Sequence, residues 1–407
     1  MTGALRSKQF RRYAISDVIS GFGVGMSTIG ANWYLMDQTG SLGAVGFMLT
    51  LNVLAGFAVS PLAGILTDRF HRKRIIQAAN WGRALLIAAL AAAFLSTGYH
   101  TWYLYAFTII NGIGWTVYMS ASRSLIQELL PEKELINGNS IIEISLQVGM
   151  FMAGAASGIF YKYAGFEWIL ILNAAAFLIS SLFLAKVRYT PLAIESKGES
   201  FAANFKDGLR YLKERPAVFA LGVVSIIPVV AVMIFNVVLP GYVSGPVGGD
   251  SVVFGLADMF YGIGGLLSGF LAAPVARKLS LPAAVPLFFL LGAGVLFAWA
   301  FSASSILLFA GSAVLGLSNS SLRIMMNTRL MELVSKAYMG RAMSVWIAIS
   351  LLLQCASATG LGFALDRFSP GTGFAGIGAL MVAGLALYAL LHLPSRAKSG
   401  VGATLDQ

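Results

Sequence analysis

Four ionisable side chains lie inside long apolar segments of this 407-residue sequence. They are Asp17, Arg83, Glu143 and Asp258. An ionisable group in hydrocarbon is costly unless it is paired or hydrated, so such groups mark ion or substrate pathways. The three carboxyl groups are candidates for binding and releasing a proton, because a cavity of low dielectric constant favours the protonated form of a carboxyl group.

Each of these residues also has a simpler interpretation. Asp17 lies close in sequence to Arg12 and can be an interfacial residue. Glu143 and Asp258 can be buried carboxylates that are paired permanently with a cation such as Arg83. Counting residues from the nearest end of each apolar segment places Asp258 deepest, followed by Glu143 and then Asp17. We therefore favour Glu143 and Asp258 as proton sites and keep Asp17 as a third candidate.

The elements that position these residues are membrane spans. Hydrophobic residues make up 57% of the chain and charged residues 11%, whereas soluble domains contain about 25% charged residues. The mean hydropathy is +0.79. This composition excludes a disordered chain, a collagen-like fibre and a typical soluble enzyme, and it predicts a multi-pass membrane protein.

Twelve apolar runs bounded by charges or by Gly and Pro turns are predicted to cross the membrane. They form two sets of six, which predicts an N-terminal half over 1–185, a cytoplasmic linker over 186–215 and a C-terminal half over 216–407. The predicted fold class is an all-α membrane protein with twelve transmembrane helices. The runs lie near 13–36, 43–67, 74–96, 101–122, 138–161, 166–185, 216–240, 252–275, 281–300, 304–327, 340–365 and 371–394.

The basic residues predict the orientation of these spans. With the N-terminus in the cytoplasm, 25 of the 28 Lys and Arg residues fall on the cytoplasmic side, and two, Lys162 and Arg367, fall on the other. A bias of this kind sets the topology of membrane proteins. It predicts cytoplasmic N- and C-termini, and it accounts for the net charge of +11 without a nucleic-acid partner. Because the sequence has no targeting extension, we expect a bacterial inner membrane.

The linker contains an amphipathic segment over 201–215. One helical face carries Phe201, Phe205, Leu209 and Leu212, and the basic residues lie away from that face. The pattern predicts a helix that lies on the inner membrane surface, in contact with lipids. The alternative is a solvated helix that is docked on the helical bundle.

The two halves repeat each other. A separation of 204 residues relates Glu128 to Glu332, Ser140 to Ser344, Gly158 to Gly362 and Asn32 to Asn236. A finer repeat places a glycine near the ends of spans two, five, eight and eleven, at Gly64, Gly158, Gly269 and Gly362. Three-helix repeats within each half are the architecture of one large transporter fold.

The loop between the second and third spans carries the clearest motif. Its sequence, Gly64-Ile-Leu-Thr-Asp68-Arg69-Phe-His71-Arg72-Lys73-Arg74, resembles the loop that the major facilitator superfamily has at this place, although His71 stands where the family usually has glycine. Two further segments, 130–140 and 340–344, are similar to the branch of macrolide and enterobactin exporters. The resemblance implies the major facilitator fold for the whole chain.

The same resemblance implies that the loop motif biases two conformations. Asp68 would accept hydrogen bonds from the first N–H groups of the helix that starts near Gly340 and Arg341, a contact worth about 0.3–2 kcal/mol. Arg72 and Arg74 would contact acidic groups or lipid phosphates. The alternative is a basic loop that serves only to set the topology. The predicted switch residues are Gly64, Asp68, Arg69, Arg72, Arg74 and Arg341.

Polar and aromatic residues of the spans are candidates for lining a central cavity. Asn32 and Asn236 are favoured because they are related by the repeat, whereas aromatic residues at span ends are also typical interfacial anchors. A mostly apolar cavity with few polar groups suits a bulky amphiphilic ligand. The candidates are Asn32, Trp33, Arg83, Trp115, Tyr118, Gln147, Asn236 and Gln354.

The resemblance implies a secondary transporter that works by alternating access. We expect proton-coupled export of a bulky amphiphilic molecule of the drug or siderophore class, although the exporter motif of the fifth span has Ala155 where family exporters tend to have proline. The alternatives are an importer of a metabolite, a lipid flippase or a receptor that does not transport. We expect a monomer in contact with lipids.

Enzyme activity is not expected. The three histidines are scattered over separate loops and one chain end, and the sequence has neither a phosphate-binding loop nor the motif of a metalloprotease or a serine hydrolase. The sequence therefore predicts no catalytic residues, no metal site and no cofactor.

Overall fold

The computed structural model describes residues 4–131, 134–188 and 201–392, and this part of the chain folds into thirteen α-helices and one short 3-10 helix, without a β-strand. The α-helices are α1 (Lys8–Thr39), α2 (Leu42–Arg69), α3 (Arg72–Thr97), α4 (Thr101–Leu129), α5 (Leu135–Ala164), α6 (Phe166–Ala185), α7 (Phe201–Lys213), α8 (Pro216–Ser244), α9 (Ser251–Leu279), α10 (Leu281–Phe301), α11 (Ser305–Leu333), α12 (Lys336–Leu365) and α13 (Pro370–His392).

Local sequence signals fix several helix ends. The hydroxyl groups of Ser7 and Ser41 accept hydrogen bonds from the first turns of α1 and α2, which satisfies N–H groups that have no partner within the helix. At the end of α1, Gly40 adopts a left-handed conformation with φ of 62°. Glycine adopts this conformation without steric cost, so α1 stops there and α2 starts after a tight turn.

Eleven of the described helices are long and apolar enough to cross a membrane. Of the described long helices, α4 is the one outside this set, because polar side chains such as Thr108, Asn111 and Ser122 interrupt its apolar sequence. It has 29 residues, as α8, α9 and α11 have, and it packs against α2 and α3. The predicted all-helical fold with twelve long helices is confirmed.

Helix α7 docks on the C-terminal half of the protein. Tyr211 is buried, and its ring stacks on Tyr338 of α12 with the ring centres 4.6 Å apart. Leu212 is also buried, and Asp207 pairs with Arg341 of α12 at 3.5 Å. This part of the amphipathic face is turned towards protein, which corresponds to the alternative of a docked helix. The side chains of residues 201–204 lie outside the described residues.

The two halves meet along two helix pairs, and the first pair is α2 with α12. The carboxylate of Asp366, at the end of α12, accepts hydrogen bonds from the backbone N–H of Leu42 at 2.6 Å and from the hydroxyl of Ser41 at 2.7 Å. Further along the pair, the hydroxyl groups of Thr50 and Thr359 are 2.8 Å apart. An acid of one half therefore caps the start of a helix in the other half.

The second pair is α5 with α9. The hydroxyl of Ser251 donates to the backbone oxygen of Gly158 at 2.8 Å, and Lys162 pairs with Asp250 at 2.6 Å. The hydrogen bond from the Lys162 ammonium group holds the pKa of Asp250 below its ordinary value of 3.8. Backbone atoms of α9 lie so close to Gly158 that a side chain there would clash with them. Small residues permit such close helix packing in membranes.

Both pairs are held together on the same side of the bundle. We call this face the α1–α2 side, after the loop that it contains, and the opposite face the α2–α3 side. On the α2–α3 side, a side-chain carbon added to Gly64 of α2, Gly269 of α9 or Gly340 of α12 would meet nothing within 4 Å. The halves are packed together on the α1–α2 side, and these three glycines on the other side have open space around them.

Candidate functional site

A cavity whose wall includes several polar side chains lies inside the N-terminal half. It has a volume of about 220 Å³ and is lined by residues of α1, α2, α4 and α5. We call it the asparagine pocket, because three asparagines contribute to its wall. The residues that define it are Asn32, Asn52, Asn111, Trp115, Met48 and Met150.

A second and larger cavity lies between the halves. It has a volume of about 490 Å³ and is lined by α2 and α4 of the N-terminal half and by α12 of the C-terminal half. We call it the interhalf chamber. Its wall is mainly apolar, with Phe57 facing the space from α2 and Ile347 and Leu351 from α12. Asn52 and Trp115 line both cavities, so the two adjoin each other.

The amides of the asparagine pocket are held in fixed orientations. The amide nitrogen of Asn52 donates to the backbone oxygen of Thr108 at 3.1 Å, and that of Asn111 donates to the backbone oxygen of Phe107 at 3.0 Å. Among the described residues, the side-chain oxygens of Asn32 and Asn111 are buried without a hydrogen-bond partner. Neither cavity is lined by an ionisable side chain of the described chain.

A charged cluster is buried in the same half, between α1, α3 and α4. We define the charged cluster as Asp17, Asn80, Arg83 and Tyr118. The hydroxyl of Tyr118 donates to Asp17, and Arg83 donates to the side-chain oxygen of Asn80 at 2.6 Å. The guanidinium of Arg83 also lies over the ring of Phe177, 3.8 Å from its centre.

The charged cluster contradicts two of the simpler interpretations. Asp17 is 1% exposed, so it is not an interfacial residue near Arg12. Arg83 is 2% exposed, and no carboxylate of the described residues lies within 4.0 Å of it. Arg83 is therefore not the permanent partner of Glu143 or Asp258 in this conformation.

Further hydroxyl and amide groups extend the charged cluster towards α6. The amide of Asn80 donates to the hydroxyl of Ser180 at 3.2 Å, and Ser180 exchanges hydrogen bonds with Ser16 of α1. Tyr13 is bonded to Ser122 of α4. Sequence reasoning missed these residues, although polar side chains at such positions in apolar spans are a usable signal.

The other two carboxyl groups differ from each other. Asp258 of α9 is half-buried and forms no hydrogen bond or ion pair with the described residues. One of its oxygens would be 3.2 Å from a side-chain carbon added to Gly154, so Asp258 lies in the contact between α5 and α9. Glu143 is exposed and accepts a hydrogen bond from Gln147 at 3.3 Å. The buried environment expected at Glu143 is found at Asp17 instead.

Two of the eight predicted cavity residues, Asn32 and Trp115, line the described cavities. The others have different surroundings because the faces of their helices point elsewhere. Trp33 is buried against Phe254 of α9, with the ring centres 5.3 Å apart. Arg83 and Tyr118 belong to the charged cluster, and Gln147 contacts Glu143. Asn236 is half-buried in α8, and Gln354 donates to Ser350 of its own helix at 3.0 Å.

The loop motif lies between α2 and α3 as predicted, and part of its contacts can be described. Arg72 pairs with Glu128, at the end of α4, at 3.3 Å, which agrees with the expected contact to an acidic group. Arg69 and Arg74 are exposed. The side chain of Asp68 lies outside the described residues, so its contact with the start of α12 stays a prediction.

Within the described ranges, no three His, Cys, Asp or Glu side chains come together in a group that could hold a metal ion. What the arrangement offers is the asparagine pocket, an adjoining apolar chamber, a buried carboxyl group on α1 and a half-buried one on α9, where the halves meet.

Comparison with known proteins gives consistent matches. The sequence model of the Major Facilitator Superfamily matches residues 13–243. Macrolide efflux protein A of Streptococcus pyogenes is 23% identical over 348 residues, which cover 81% of this chain and 84% of that protein. The multidrug efflux pump Tap of Mycolicibacterium fortuitum is 22% identical, with 64% of this chain and 66% of that protein covered.

Solved structures resemble the whole fold. The nucleoside transporter NupG superposes with a TM-score of 0.75 at 14% identity, covering 95% of this chain and 99% of that chain. A bacterial homologue of the human lysosomal transporter Spinster, in an inward-facing and unoccupied conformation, gives a TM-score of 0.68 at 16% identity, with 96% of both chains covered. At these identities the likeness concerns the fold alone.

Proposed function

The chain belongs to the Major Facilitator Superfamily and is a secondary transporter, and we propose that it exports a bulky amphiphilic small molecule, of the drug or siderophore class, in exchange for protons. This family is one of transporters and not of enzymes. The observation that carries the proposal is the pair of adjoining cavities, one polar and one apolar, which share Asn52 and Trp115. An amphiphile places its polar part in one and its apolar part in the other.

The direction of transport is inferred from the relatives and from the charge distribution. Two relatives are named as efflux proteins. The Lys and Arg residues predict that the α2–α3 side faces the cytoplasm. With the α1–α2 side packed shut, the conformation described here then corresponds to the inward-facing state, in which an exporter accepts its substrate.

Asp17 is the first proton site that we propose. Its carboxylate is buried, and its surroundings contain both signs of charge: Tyr13 from α1, Arg83 from α3, Tyr118 from α4 and Glu143 from α5. Losing the proton leaves a negative charge beside the hydroxyl of Tyr118, whose ring centre lies 5.6 Å from the guanidinium carbon of Arg83, so the protonation state of Asp17 acts on the contact of α1 with α4 and, through Tyr118, on α3. Because α1 also carries Asn32, a proton bound at Asp17 and a ligand in the asparagine pocket act on the same helix.

Asp258 and Glu143 remain proton-site candidates. Asp258 lies in the contact between α5 and α9, so a charge on it acts directly on the packing of the two halves. Glu143 is close enough to interact electrostatically with Asp17. We rank Asp17 above Asp258 and Asp258 above Glu143, because burial without a counterion makes the charged form of a carboxyl group costly. We expect a monomer in contact with membrane lipids.

A flux assay tests the proposed function. The full chain is reconstituted in proteoliposomes with an imposed pH gradient, and catecholate siderophores, macrolides and lipophilic dyes are screened as substrates. We expect movement of at least one class that stops when a protonophore collapses the gradient. Movement that is unaffected by the protonophore would contradict proton coupling, and binding without movement would favour a receptor.

Variants of the three carboxyl groups locate the proton site in the same assay. Asp17→Asn is expected to abolish gradient-driven movement while leaving exchange of labelled for unlabelled substrate, because exchange needs no net proton transfer. Asp37→Asn is the matched control, since Asp37 is exposed and bonded to Tyr161 of its own half. If Asp17→Asn, Asp258→Asn and Glu143→Gln all keep full gradient-driven movement, the proposed proton sites are wrong.

A further inference from the structure

We propose that Tyr118 couples proton binding at Asp17 to the two cavities, because its hydroxyl contacts the carboxylate and its ring contacts Trp115 in the cavity wall. Tyr118 is thus a positioning residue, which acts through Trp115. The inference rests on the proposed function and adds to it the residue that links the proton site to the ligand site. It depends on the separation of the two sites, on the contacts of Tyr118 and on its packing.

The proton site and the ligand site do not touch. Asp17 is 1% exposed and is not among the described residues that line the asparagine pocket or the interhalf chamber. On its own helix, the nearest lining residue is Val24, which lies about 10 Å further along the axis at 1.5 Å per residue. A proton on Asp17 therefore acts on a ligand through intervening groups and not by direct contact.

Tyr118 connects the two sites through one hydrogen bond and one ring contact. Its hydroxyl donates to the carboxylate of Asp17. Its ring is nearly parallel to that of Trp115, one turn earlier in α4, with an angle of 10° between the planes and 6.4 Å between the ring centres. Aromatic rings at such distances attract each other. Trp115 lines both cavities, so a ligand in either of them can contact it.

The protonation state of Asp17 changes the hydrogen bond from Tyr118. A hydrogen bond to a charged carboxylate is shorter than one between neutral groups and roughly twice as strong. Loss of the proton therefore pulls the hydroxyl of Tyr118 towards α1, and gain of the proton releases it. The ring follows its hydroxyl, so the contact between Tyr118 and Trp115 changes with the charge on Asp17.

The packing around Tyr118 directs this change towards Trp115. Tyr118 is 1% exposed, and the guanidinium carbon of Arg83 in α3 lies 5.6 Å from its ring centre. A side-chain carbon added to Gly114 of α4 would clash with the Arg83 side chain, so α4 is packed closely against it. Close-packed interiors transmit strain. Trp115 is only half-buried and borders two cavities, so its ring has space in which to respond.

The charged and titratable groups around Asp17 come from four helices. They are Tyr13 of α1, Arg83 of α3, Tyr118 of α4 and Glu143 of α5, where Arg83 acts on Tyr118 and the others act on Asp17 itself. The α6 residue that bonds to the charged cluster is an uncharged serine, Ser180. Of the four groups, Tyr118 is the one with a ring contact to a residue of the cavity wall.

The coupling acts in both directions. If a proton on Asp17 changes the cavity wall, a ligand that displaces the ring of Trp115 changes the affinity of Asp17 for its proton by the same factor. Exchange of a substrate for protons needs a link of this kind, because a ligand that does not alter proton binding cannot drive proton release. Tyr118 supplies the link within the N-terminal half.

A fluorine NMR experiment tests the inference without a ligand. The full chain is labelled with fluorotryptophan in lipid nanodiscs, and the resonance of Trp115 is identified among the seven tryptophans by its absence in Trp115→Phe. Infrared spectra of the same samples follow the protonated carboxyl group of Asp17, whose band is identified by its absence in Asp17→Asn. We expect the resonance of Trp115 to shift with pH in parallel with the band of Asp17.

Three variants assign the shift to the chain of contacts. In Asp17→Asn, the resonance of Trp115 is expected to lose its pH dependence. Tyr118→Phe keeps the ring and lacks only the hydroxyl, so most of the pH dependence is expected to be lost while the band of Asp17 still titrates. Tyr103→Phe is the matched control, since Tyr103 is a buried tyrosine of the same helix whose hydroxyl is bonded to Thr97 at 2.7 Å. It is expected to leave the response of Trp115 unchanged.

The outcomes separate this inference from the proposed function. A resonance of Trp115 that stays constant while Asp17 titrates overturns the inference and leaves Asp17 as a proton site. So does a pH dependence that survives Tyr118→Phe in full, or one that disappears in Glu143→Gln. An Asp17 that keeps one protonation state overturns both the inference and this proton site. A response of Trp115 as expected, together with flux that a protonophore does not affect, would leave the inference standing and contradict proton exchange.

Discussion

The two ends of the α2–α12 pair have related sequences and different packing. On the α1–α2 side, the sequence Gly362-Phe-Ala-Leu-Asp366 ends α12, and Asp366 caps the start of α2. On the α2–α3 side, the sequence Gly64-Ile-Leu-Thr-Asp68 ends α2, and Gly64 has nothing within 4 Å of an added side-chain carbon. One copy of the pattern is a contact between the halves, and the other lies open.

The comparison teaches how one motif can serve two conformations. The two helices run in opposite directions, so the end of each lies beside the start of the other. Asp366 already accepts hydrogen bonds from the first N–H groups of α2, and Asp68 is predicted to do the same for α12. If the halves rock about the central cavities, the cap at one end breaks as the cap at the other forms. Each cap then stabilises one of the two states.

The largest change in the packing of the halves is expected from a substitution in the tight contact between α2 and α12 on the α1–α2 side. A side-chain carbon added to Gly46 would clash with the backbone oxygen of Ala358 in α12, so Gly46→Leu forces the closed end apart. Overpacking of this kind costs about 1–3 kcal/mol. We expect labelling of the single cysteine, Cys355 of α12, by a membrane-impermeant maleimide from the α1–α2 side to speed up about tenfold or more.

Gly64→Leu is the matched control for this variant. It places the same side chain on the same helix, at a position that is open in the described state. Its labelling rate from the α1–α2 side should therefore stay at or below that of the parent chain. Equal acceleration by both variants would show that the two ends of α2 are not packed differently.

Breaking the caps one at a time sharpens the comparison. Asp366→Asn removes the charge from three hydrogen bonds to the start of α2, so labelling of Cys355 from the α1–α2 side is expected to rise about five- to tenfold. Asp68→Asn is expected to lower the labelling rate, because it weakens the state in which the α2–α3 side is closed. Asp37→Asn, on the same side as Asp366 but bonded within its own half, controls for the loss of a surface charge. A change in the same direction for Asp366→Asn and Asp68→Asn would refute the reciprocal caps.

The smallest effect concerns the ion pair between Lys162 and Asp250. The pKa of Asp250 is lowered in the folded protein, so this contact is fully formed above the ordinary value of 3.8 and is lost as the pH falls through the lowered pKa. Between pH 5 and pH 8, we expect no change in the labelling rate of Cys355 that is attributable to Asp250. Asp250→Asn is expected to raise this rate by at most about threefold. High salt should make the difference between the variant and the parent chain smaller, because it screens the ion pair. A titration of the closed end near neutral pH that disappears in Asp250→Asn would contradict this assignment.

The fold was predictable because the patterns that determine it are visible in the sequence alone, either within a short segment or as a repeat along the whole chain. Apolar runs of membrane-spanning length, the charges and the Gly and Pro turns that bound them, and the repeat of 204 residues are all readable without knowledge of the packing. The finer repeat of three helices also predicted that Gly64 and Gly362 occupy equivalent positions. It could not predict which of the two is packed, since that depends on the conformation and not on the sequence.

The candidate site was less predictable because depth along a helix does not tell which way a side chain faces. Glu143 was ranked above Asp17 by its depth, yet Glu143 lies on an exposed face of α5, whereas Asp17 is enclosed by Tyr118 and the neighbouring helices. Asn52 and Asn111 are amides inside apolar runs, so a systematic survey of amides in the spans would have found them.

Two distance measurements test most directly whether the α1–α2 side opens as the α2–α3 side closes. Spin labels are placed at Tyr163 and Phe368 on the α1–α2 side, and in a second sample at Phe70 and Leu279 on the α2–α3 side, in full-length chains that carry Cys355→Ser. All four positions are exposed, and each pair joins the two halves. We predict that a transported substrate or a change of pH alters the two distances in opposite directions, so that the first grows as the second shrinks. Two distances that stay constant, or that change in the same direction, would contradict alternating access by the two ends.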